Sequence, residues 1–213
     1  MSITDNIQKI KKEISEKVKL VAVSKNMPVN YIQEAYESGQ IIFGENKVQD
    51  LIRKYEKLPK NIEWHMIGHL QKNKVKYIAP FIKLIHSVDS IKILKEIDKR
   101  ASQNNRIIEC LLQVNISKEI TKFGFMENEI EEIISDIQKY KNIKVIGLMG
   151  MASFSNEKKK ISEEFSILYK IYKKYKILNT LSMGMSNDYN IAIKCGSTMV
   201  RIGSTIFGKK KYD

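Results

Sequence analysis

The sequence predicts an α/β fold, a single (β/α)8 barrel of the TIM type with one extra helix at the N-terminus. Eight short apolar runs of β-forming residues alternate with amphipathic stretches of helical period, as in a parallel sheet buried on both faces. A further amphipathic stretch, residues 4–17, precedes the first apolar run. No Gly-x-Gly-x-x-Gly turn follows that run, which disfavours the alternative of an open doubly wound sheet.

The strands and helices follow in order from these patterns. The predicted strands span residues 20–24, 40–43, 62–67, 81–87, 107–114, 143–148, 177–181 and 199–202. Between them, apolar residues recur at helical spacing. The predicted helices span residues 29–38, 45–57, 90–102, 128–140, 156–175 and 187–195. Because the chain ends soon after the eighth strand, we expect no helix there and expect the helix at 4–17 to fill the gap.

Composition limits the class of protein. Hydrophobic residues make up 43% of the chain, which indicates a packed core rather than disorder, and no apolar run is long enough to span a bilayer. Charged residues interrupt the N-terminal stretch, so no signal peptide is predicted. Cys110 and Cys195 are too few for a disulfide framework or a zinc site. We expect residues 1–213 to form one domain of a reduced, cytoplasmic protein without metal.

The net charge of +13 raises the question of a polyanionic partner. Most of the positive charge is lysine spread over many predicted helix faces, whereas nucleic-acid-binding proteins rely more on arginine and exposed aromatic residues. The basic run at residues 209–211 is very short. A solvated lysine-rich surface is therefore the favoured interpretation, and neither nucleic acid nor membrane is an expected partner.

Lys25 directly follows the first predicted strand, at the end of the barrel where (β/α)8 proteins place their sites. Two interpretations stay open from this position alone. The residue is either a solvated lysine at a strand end or an amine nucleophile that forms a Schiff base with a carbonyl ligand.

The loops after strands seven and eight have the composition of a phosphate site. Ser186 occupies the predicted N-cap of the helix at 187–195, and strand eight ends in Gly203 and Ser204. Ordinary turn and cap roles would explain each loop singly, but two such loops at the two expected places favour an anion. Because strand eight neighbours strand one in a closed barrel, a phosphate there brings the rest of a ligand near Lys25. Pyridoxal 5′-phosphate (PLP) and a phosphorylated sugar aldehyde both fit.

Short motifs follow one another in a characteristic order along nearly the whole chain. They lie at residues 22–25, 43–46, 48–49, 64–74, 86–89, 114–115, 122–125, 147–149, 182–186, 188, 196–198, 200–204 and 206–208. In this order they resemble the YggS/PROSC family of PLP-binding proteins, also called PLP homeostasis proteins. Small departures from the family pattern are Asn26 in place of threonine, Met66 in place of phenylalanine and Ser204 in place of threonine.

The resemblance implies a barrel like the N-terminal domain of alanine racemase, with PLP held as a Schiff base on Lys25. It implies that Arg201 faces the pyridine nitrogen, that Asn46 lines the ring and that the loops after strands seven and eight contact the phosphate. The predicted cofactor-binding residues are Lys25, Asn46, Met185, Ser186, Arg201, Gly203 and Ser204.

The resemblance also implies a function in intracellular PLP (vitamin B6) balance. A charged Arg201 beside the ring nitrogen keeps that nitrogen unprotonated and the ring a weak electron sink. We therefore expect a carrier or buffer of PLP, a monomer without catalytic residues, which passes the cofactor to apo PLP-dependent enzymes. The alternative is a weak amino-acid racemase or decarboxylase of the racemase-like PLP fold type.

His65 and His69 are four residues apart without the glutamate of a zinc-protease motif, so structural roles are expected for them.

Overall fold

The computed structural model describes residues 2–117 and 123–208. Lys122, part of one motif above, and the basic run 209–211 lie outside these residues. Within these residues, eight parallel strands close into one barrel in chain order, and the first strand pairs with both the second and the eighth. This closure confirms the predicted barrel and excludes the open sheet. The strands are β1 Lys19–Val23, β2 Ile42–Glu45, β3 Glu63–Met66, β4 Leu84–Val88, β5 Ile108–Val114, β6 Ile143–Gly150, β7 Thr180–Ser182 and β8 Met199–Ile202.

Helices alternate with the strands, as the spacing of apolar residues predicts. In the part of the chain that the structure describes, three short 3-10 turns adjoin the helices at 75–78 and 130–136: Lys72–Lys74, Glu127–Glu129 and Ile137–Lys139. In the described ranges, no helix is long and apolar enough to cross a membrane. The helices are α1 Ile3–Glu13, α2 Val29–Glu37, α3 Val48–Lys57, α4 Val75–Ile78, α5 Ile91–Gln103, α6 Ile130–Asp136, α7 Lys158–Lys174, α8 Tyr189–Lys194 and α9 Ser204–Phe207.

Side chains alternate between the two faces of each strand and so form two layers. The outward face packs against the helices, with Phe43, Trp64 and Phe165 fully buried there. The inward face carries a separate apolar cluster of Val21, Leu84, Leu111, Ile146, Met149 and Met199. Two residues beyond Leu84 and Met199 the same inward face turns polar, with His86 and Arg201. The inside of the barrel therefore combines an apolar cluster with polar side chains toward the carboxyl ends of the strands.

The end of the chain differs from the sequence prediction. A one-turn helix, α9, follows β8 where no helix was expected, and α1 ends at Glu13 rather than at residue 17. α1 packs against both α2 and α9, and Asn6 Nδ2 donates to Ile206 O at 2.9 Å. The expectation that the N-terminal helix fills the gap after β8 is thus correct only in part, because α9 occupies some of that gap. α4 was also not predicted, since four residues are too few to show a helical period.

Candidate functional site

One cavity of about 690 Å³ opens at the carboxyl ends of the strands. The carboxyl ends of parallel strands meet at the same end of a barrel, so residues far apart in sequence share this wall. All seven residues predicted to bind the cofactor line it: Lys25, Asn46, Met185, Ser186, Arg201, Gly203 and Ser204. The structure thus brings the predicted set together, while the role of each residue stays a prediction.

Lys25 stands on a tight turn after β1. Ser24, buried at the strand end, donates its backbone N–H to Gly44 O of β2 at 3.0 Å and accepts from Met27 N at 2.9 Å. Asn26 has a φ of 60°, the left-handed conformation that asparagine tolerates better than most residues. The turn leaves the Lys25 side chain exposed at the cavity wall, where its amine is accessible to a ligand.

Asn46 follows β2 in the same way and is half-buried. Its backbone packs against Gly68, where a Cβ would come within 2.4 Å of Asn46 O. Glycine at this position therefore permits the close approach that holds Asn46 at the wall.

Ser186 does not cap a helix, contrary to the sequence prediction. α8 begins at Tyr189 and its N-cap is Asp188, whose Oδ1 accepts from Met185 N at 2.6 Å. Burial raises the pKa of Asp188, an effect opposed by this hydrogen bond and by the charge of Arg201. Because Asp188 takes the cap, Ser186 stays in the loop, and its Oγ accepts from Gly203 N at 3.2 Å. The loops after β7 and β8 are thereby joined at the cavity.

Gly203 and Ser204 lie at the junction of β8 and α9. A Cβ on Gly203 would lie 3.3 Å from both the Cβ and the carbonyl oxygen of Val23, so the backbone passes close to β1 here. Ser204 is exposed and begins α9, whose first-turn amides have no acceptor within the helix. Two serine hydroxyls and several backbone N–H groups therefore lie around this part of the wall.

Arg201 points into the barrel and is only 4% exposed. Its Nη1 donates to Ser182 O at 2.9 Å and to Ser182 Oγ at 2.6 Å, and its Nη2 donates to Gly150 O at 3.2 Å. Burial lowers the pKa of Arg201 to about 10, and the charge of Asp188 opposes that shift. The guanidinium therefore stays charged at neutral pH, fixed at the cavity wall by β6 and β7.

Ser182 links Arg201 to two buried histidines in a hydrogen-bond chain across the barrel. Sequence reasoning did not predict this chain. Arg201 has only N–H donors, so Ser182 Oγ accepts from it, and the same oxygen lies 3.0 Å from His86 Nδ1. On the other side of that ring, His86 Nε2 lies 3.0 Å from His65 Nδ1. Burial lowers the pKa of His65 to about 3, helped by Lys19 and Lys83, and lowers that of His86 well below 6.5, helped by His65 and Arg201.

The loop after β6 also lines the cavity, and sequence reasoning did not identify it as part of the site. Ser153 donates its backbone N–H and its Oγ to the two carboxylate oxygens of Glu164, each at 2.6 Å. The next residue, Phe154, lines the cavity and is 98% exposed. A firmly held loop therefore presents an aromatic ring at the cavity mouth.

The remaining candidates lie outside the cavity. His69 Nδ1 lies 2.8 Å from Asp89 Oδ2, and its ring stacks on Phe123. Cys110 is buried in β5, where burial and Glu109 raise the pKa of its thiol, which marks it as a core residue. Cys195 Sγ lies 3.4 Å from Ser162 Oγ. The described ranges hold no group of three or more histidine, cysteine or acidic residues placed to bind a metal ion.

The chain matches one protein family and has relatives that are similar over most of its length. Residues 1–211 match the family described as alanine racemase, N-terminal domain. A pyridoxal phosphate homeostasis protein of Aquifex aeolicus is 40% identical, covering 91% of this chain and 88% of its own. Another, of Helicobacter pylori strain ATCC 700392, is 43% identical, covering 89% and 87%.

Solved structures agree with the fold. PipY of Synechococcus elongatus PCC7942, solved with PLP bound, is 30% identical to this chain and has a TM-score of 0.88. The match covers 97% of this chain and 100% of the PipY chain. An alanine racemase of Clostridium difficile 630 has a TM-score of 0.81 at 15% identity, covering 100% of this chain and 58% of its own, and shows the fold alone. The chain therefore belongs to the alanine racemase N-terminal domain family, among the pyridoxal phosphate homeostasis proteins.

Proposed function

We propose that this protein binds PLP in the cavity at the strand ends and acts in the cell as a carrier or buffer of that cofactor. The observation that carries the proposal is the convergence of an accessible amine, a charged guanidinium and a cluster of hydroxyl and N–H donors on one wall. The relatives named for PLP homeostasis and the PLP-bound neighbour support the same cofactor.

The donor set matches the chemical groups of PLP. The Lys25 amine suits the aldehyde, with which it would form a Schiff base. Ser186, Gly203 and Ser204 supply hydroxyl and backbone N–H donors for the phosphate. Arg201 suits the pyridine nitrogen, and Asn46 and Met185 complete the wall for the ring. When bound, PLP supplies a reactive carbonyl and an aromatic system that withdraws electrons.

The surroundings of Arg201 favour a carrier over a catalyst. A guanidinium that stays charged at neutral pH has only hydrogen-bond donors, so it cannot accept a hydrogen bond from a protonated ring nitrogen and its positive charge disfavours that protonation. The cavity also opens to solvent beside an exposed Phe154, and a wet site is unsuited to reactions that need competing proton transfers excluded. We infer that residues 1–213 form one PLP-binding domain whose main activity is retention and release.

The test is a titration of the cofactor-free protein with PLP, followed by absorbance, for wild type and Lys25→Ala. We expect saturable uptake with a new absorbance band in wild type and loss of that band in the variant. Lys158→Ala is the matched control, since Lys158 also lines the cavity. Equal uptake by wild type and Lys25→Ala would contradict the proposal.

The same preparations separate the carrier from the alternative enzyme. Loaded protein is mixed either with an L-amino acid or with the cofactor-free form of a PLP-dependent aminotransferase. A carrier restores aminotransferase activity without racemising or decarboxylating the amino acid. Turnover of the amino acid that Lys25→Ala abolishes would instead favour a weak racemase or decarboxylase. We propose a monomer in the cytoplasm, which size measurement in solution and cell fractionation test.

A further inference from the structure

A buried polar network lies directly behind Lys25. Lys54 of α3 donates from Nζ to Glu45 Oε1 at 2.5 Å and to Ser24 O at 2.7 Å. Ser24 Oγ donates to the same Glu45 oxygen at 2.6 Å. Ser24 and Glu45 are fully buried and Lys54 is 1% exposed, so the network connects the ends of β1 and β2 to α3 without contact with solvent.

This network, which we name the Ser24–Glu45–Lys54 clamp, is not explained by stability. Two charges removed from water lose hydration that their mutual attraction restores only with excellent geometry, and apolar replacements of buried ion pairs are often neutral or stabilising. Glu45 Oε2 is buried and has no hydrogen-bond partner in the described ranges, which adds a further penalty. A role in placing the neighbouring residues accounts for the arrangement better.

The clamp acts on two residues of the cavity wall. The Ser24 carbonyl and the Lys25 N–H belong to one planar peptide unit, so fixing that oxygen fixes the direction in which the chain enters Lys25. Asn46 directly follows Glu45 at the end of β2. Ser24, Glu45 and Lys54 are not among the residues that line the cavity, so they act through Lys25 and Asn46.

We propose that Ser24, Glu45 and Lys54 are positioning residues that hold the Lys25 amine and Asn46 in place for PLP capture; this rests on the proposed function. The clamp keeps the turn at 24–27 in one conformation before the cofactor arrives. Pre-organisation of this kind speeds the covalent step because the amine does not have to search for its position.

The test compares Lys54→Met with a matched control, Arg106→Met. Arg106, just before β5, donates to the main-chain oxygens of Ala79 and Ile82. Its replacement also removes hydrogen bonds from a cationic side chain to the main chain, but at the opposite end of the barrel from Lys25. In the cofactor-free protein, we expect Lys54→Met to speed hydrogen exchange of the Met27 amide, which bonds to Ser24 O, while Arg106→Met leaves that amide protected.

With added PLP, we expect the rate constant of absorbance change to fall about tenfold or more in Lys54→Met and to change less than about twofold in Arg106→Met. Lys54→Met alone leaves the buried Glu45 carboxylate without its cation. The double variant Glu45→Gln/Lys54→Met removes that charge as well and should show the same slow capture of PLP. Ser24→Ala should slow capture and Ser24→Thr, which keeps the hydroxyl, should restore it.

The outcomes distinguish the two proposals. Uptake by wild type with unchanged capture and Met27 exchange in the Lys54 variants overturns the clamp alone. Equal slowing in Lys54→Met and Arg106→Met also overturns it, since general destabilisation would then explain both. A wild type that takes up no PLP overturns the proposed function, while the exchange experiment still reports on the clamp.

Discussion

At the residue scale, Arg201 shows what sequence can and cannot predict. The family resemblance implies that Arg201 faces the ligand, and in the structure Arg201 lines the cavity. Its partner Ser182 and, 96 residues from Ser182, His86 could not be predicted, because their contact depends on how the barrel closes. The strand alternation that points both side chains inward was the only signal available.

A change at Arg201 tests its place beside the ring nitrogen. In Arg201→Glu, we expect PLP still to attach through Lys25 but its absorbance maximum to shift, because a carboxylate favours a protonated pyridine. Arg201→Lys, which keeps the positive charge, is the control and should leave the ring state close to that of wild type. Absorbance spectra of the loaded proteins measure this, and identical spectra for all three would contradict the assignment.

The serine hydroxyls at the joined loops make a second prediction at this scale. Ser186→Ala/Ser204→Ala should weaken PLP retention by about tenfold or more, since a hydrogen bond to a charged group contributes about 1.5–3 kcal/mol. Retention is measured as the PLP that remains after dialysis. Ser135→Ala, an exposed serine on α6, is the control. Retention equal to wild type would place the phosphate donors on the backbone or elsewhere.

At the element scale, four strands share the hydrogen-bond chain from Arg201 through Ser182 and His86 to His65. The folded pKa values of both histidines lie below the ordinary 6.5, so the unfolded chain binds more protons in acid. Stability from these groups is therefore complete above about pH 6.5 and is lost as the pH falls below that value, in the case of His65 until its folded pKa of about 3 is reached.

Urea unfolding at about pH 7 and about pH 5 tests this sign. Between these two pH values, the free energy of unfolding should fall more in wild type than in the double variant His65→Gln/His86→Gln. The carboxylates contribute to both proteins alike, so the difference reports on the two histidines. A double variant with the same pH dependence as wild type would show that the buried pair does not titrate as described.

The N-terminal helix supplies the other prediction at this scale. Ile7 is fully buried where α1 packs against the barrel, so Ile7→Ala should reduce the free energy of unfolding by about 2–5 kcal/mol. Ile41→Ala, at a position 46% exposed, should cost far less. Urea unfolding of both variants measures the difference. Equal losses would mean that α1 contributes little to closing the barrel.

Sequence patterns predicted long elements better than short ones. All eight strands and the longer helices lie near their predicted places, because two or more turns are enough to show a period. α4 and α9, at four residues each, show none, and their backbone is set by contacts with neighbouring elements. The Ser186 cap was wrong for a related reason, since Asp188 competes for the same role and only the loop geometry decides between them.

At the scale of the whole molecule, closure of the barrel brings an amine from the first strand beside donors from the last two. No single segment contains the site. The sequence therefore predicted residues of the site but not the distances between them. The positive charge of the chain is compatible with an anionic ligand but does not identify it.

The most direct test of the central claim is borohydride reduction of the PLP-loaded protein, followed by peptide mapping of the adduct by mass spectrometry. Reduction makes the link between amine and cofactor permanent, so the map reports which of the many lysines holds it. We expect the adduct on Lys25, with little or none on Lys158, the other lysine of the cavity wall. An adduct spread over surface lysines, or none at all, would contradict the account.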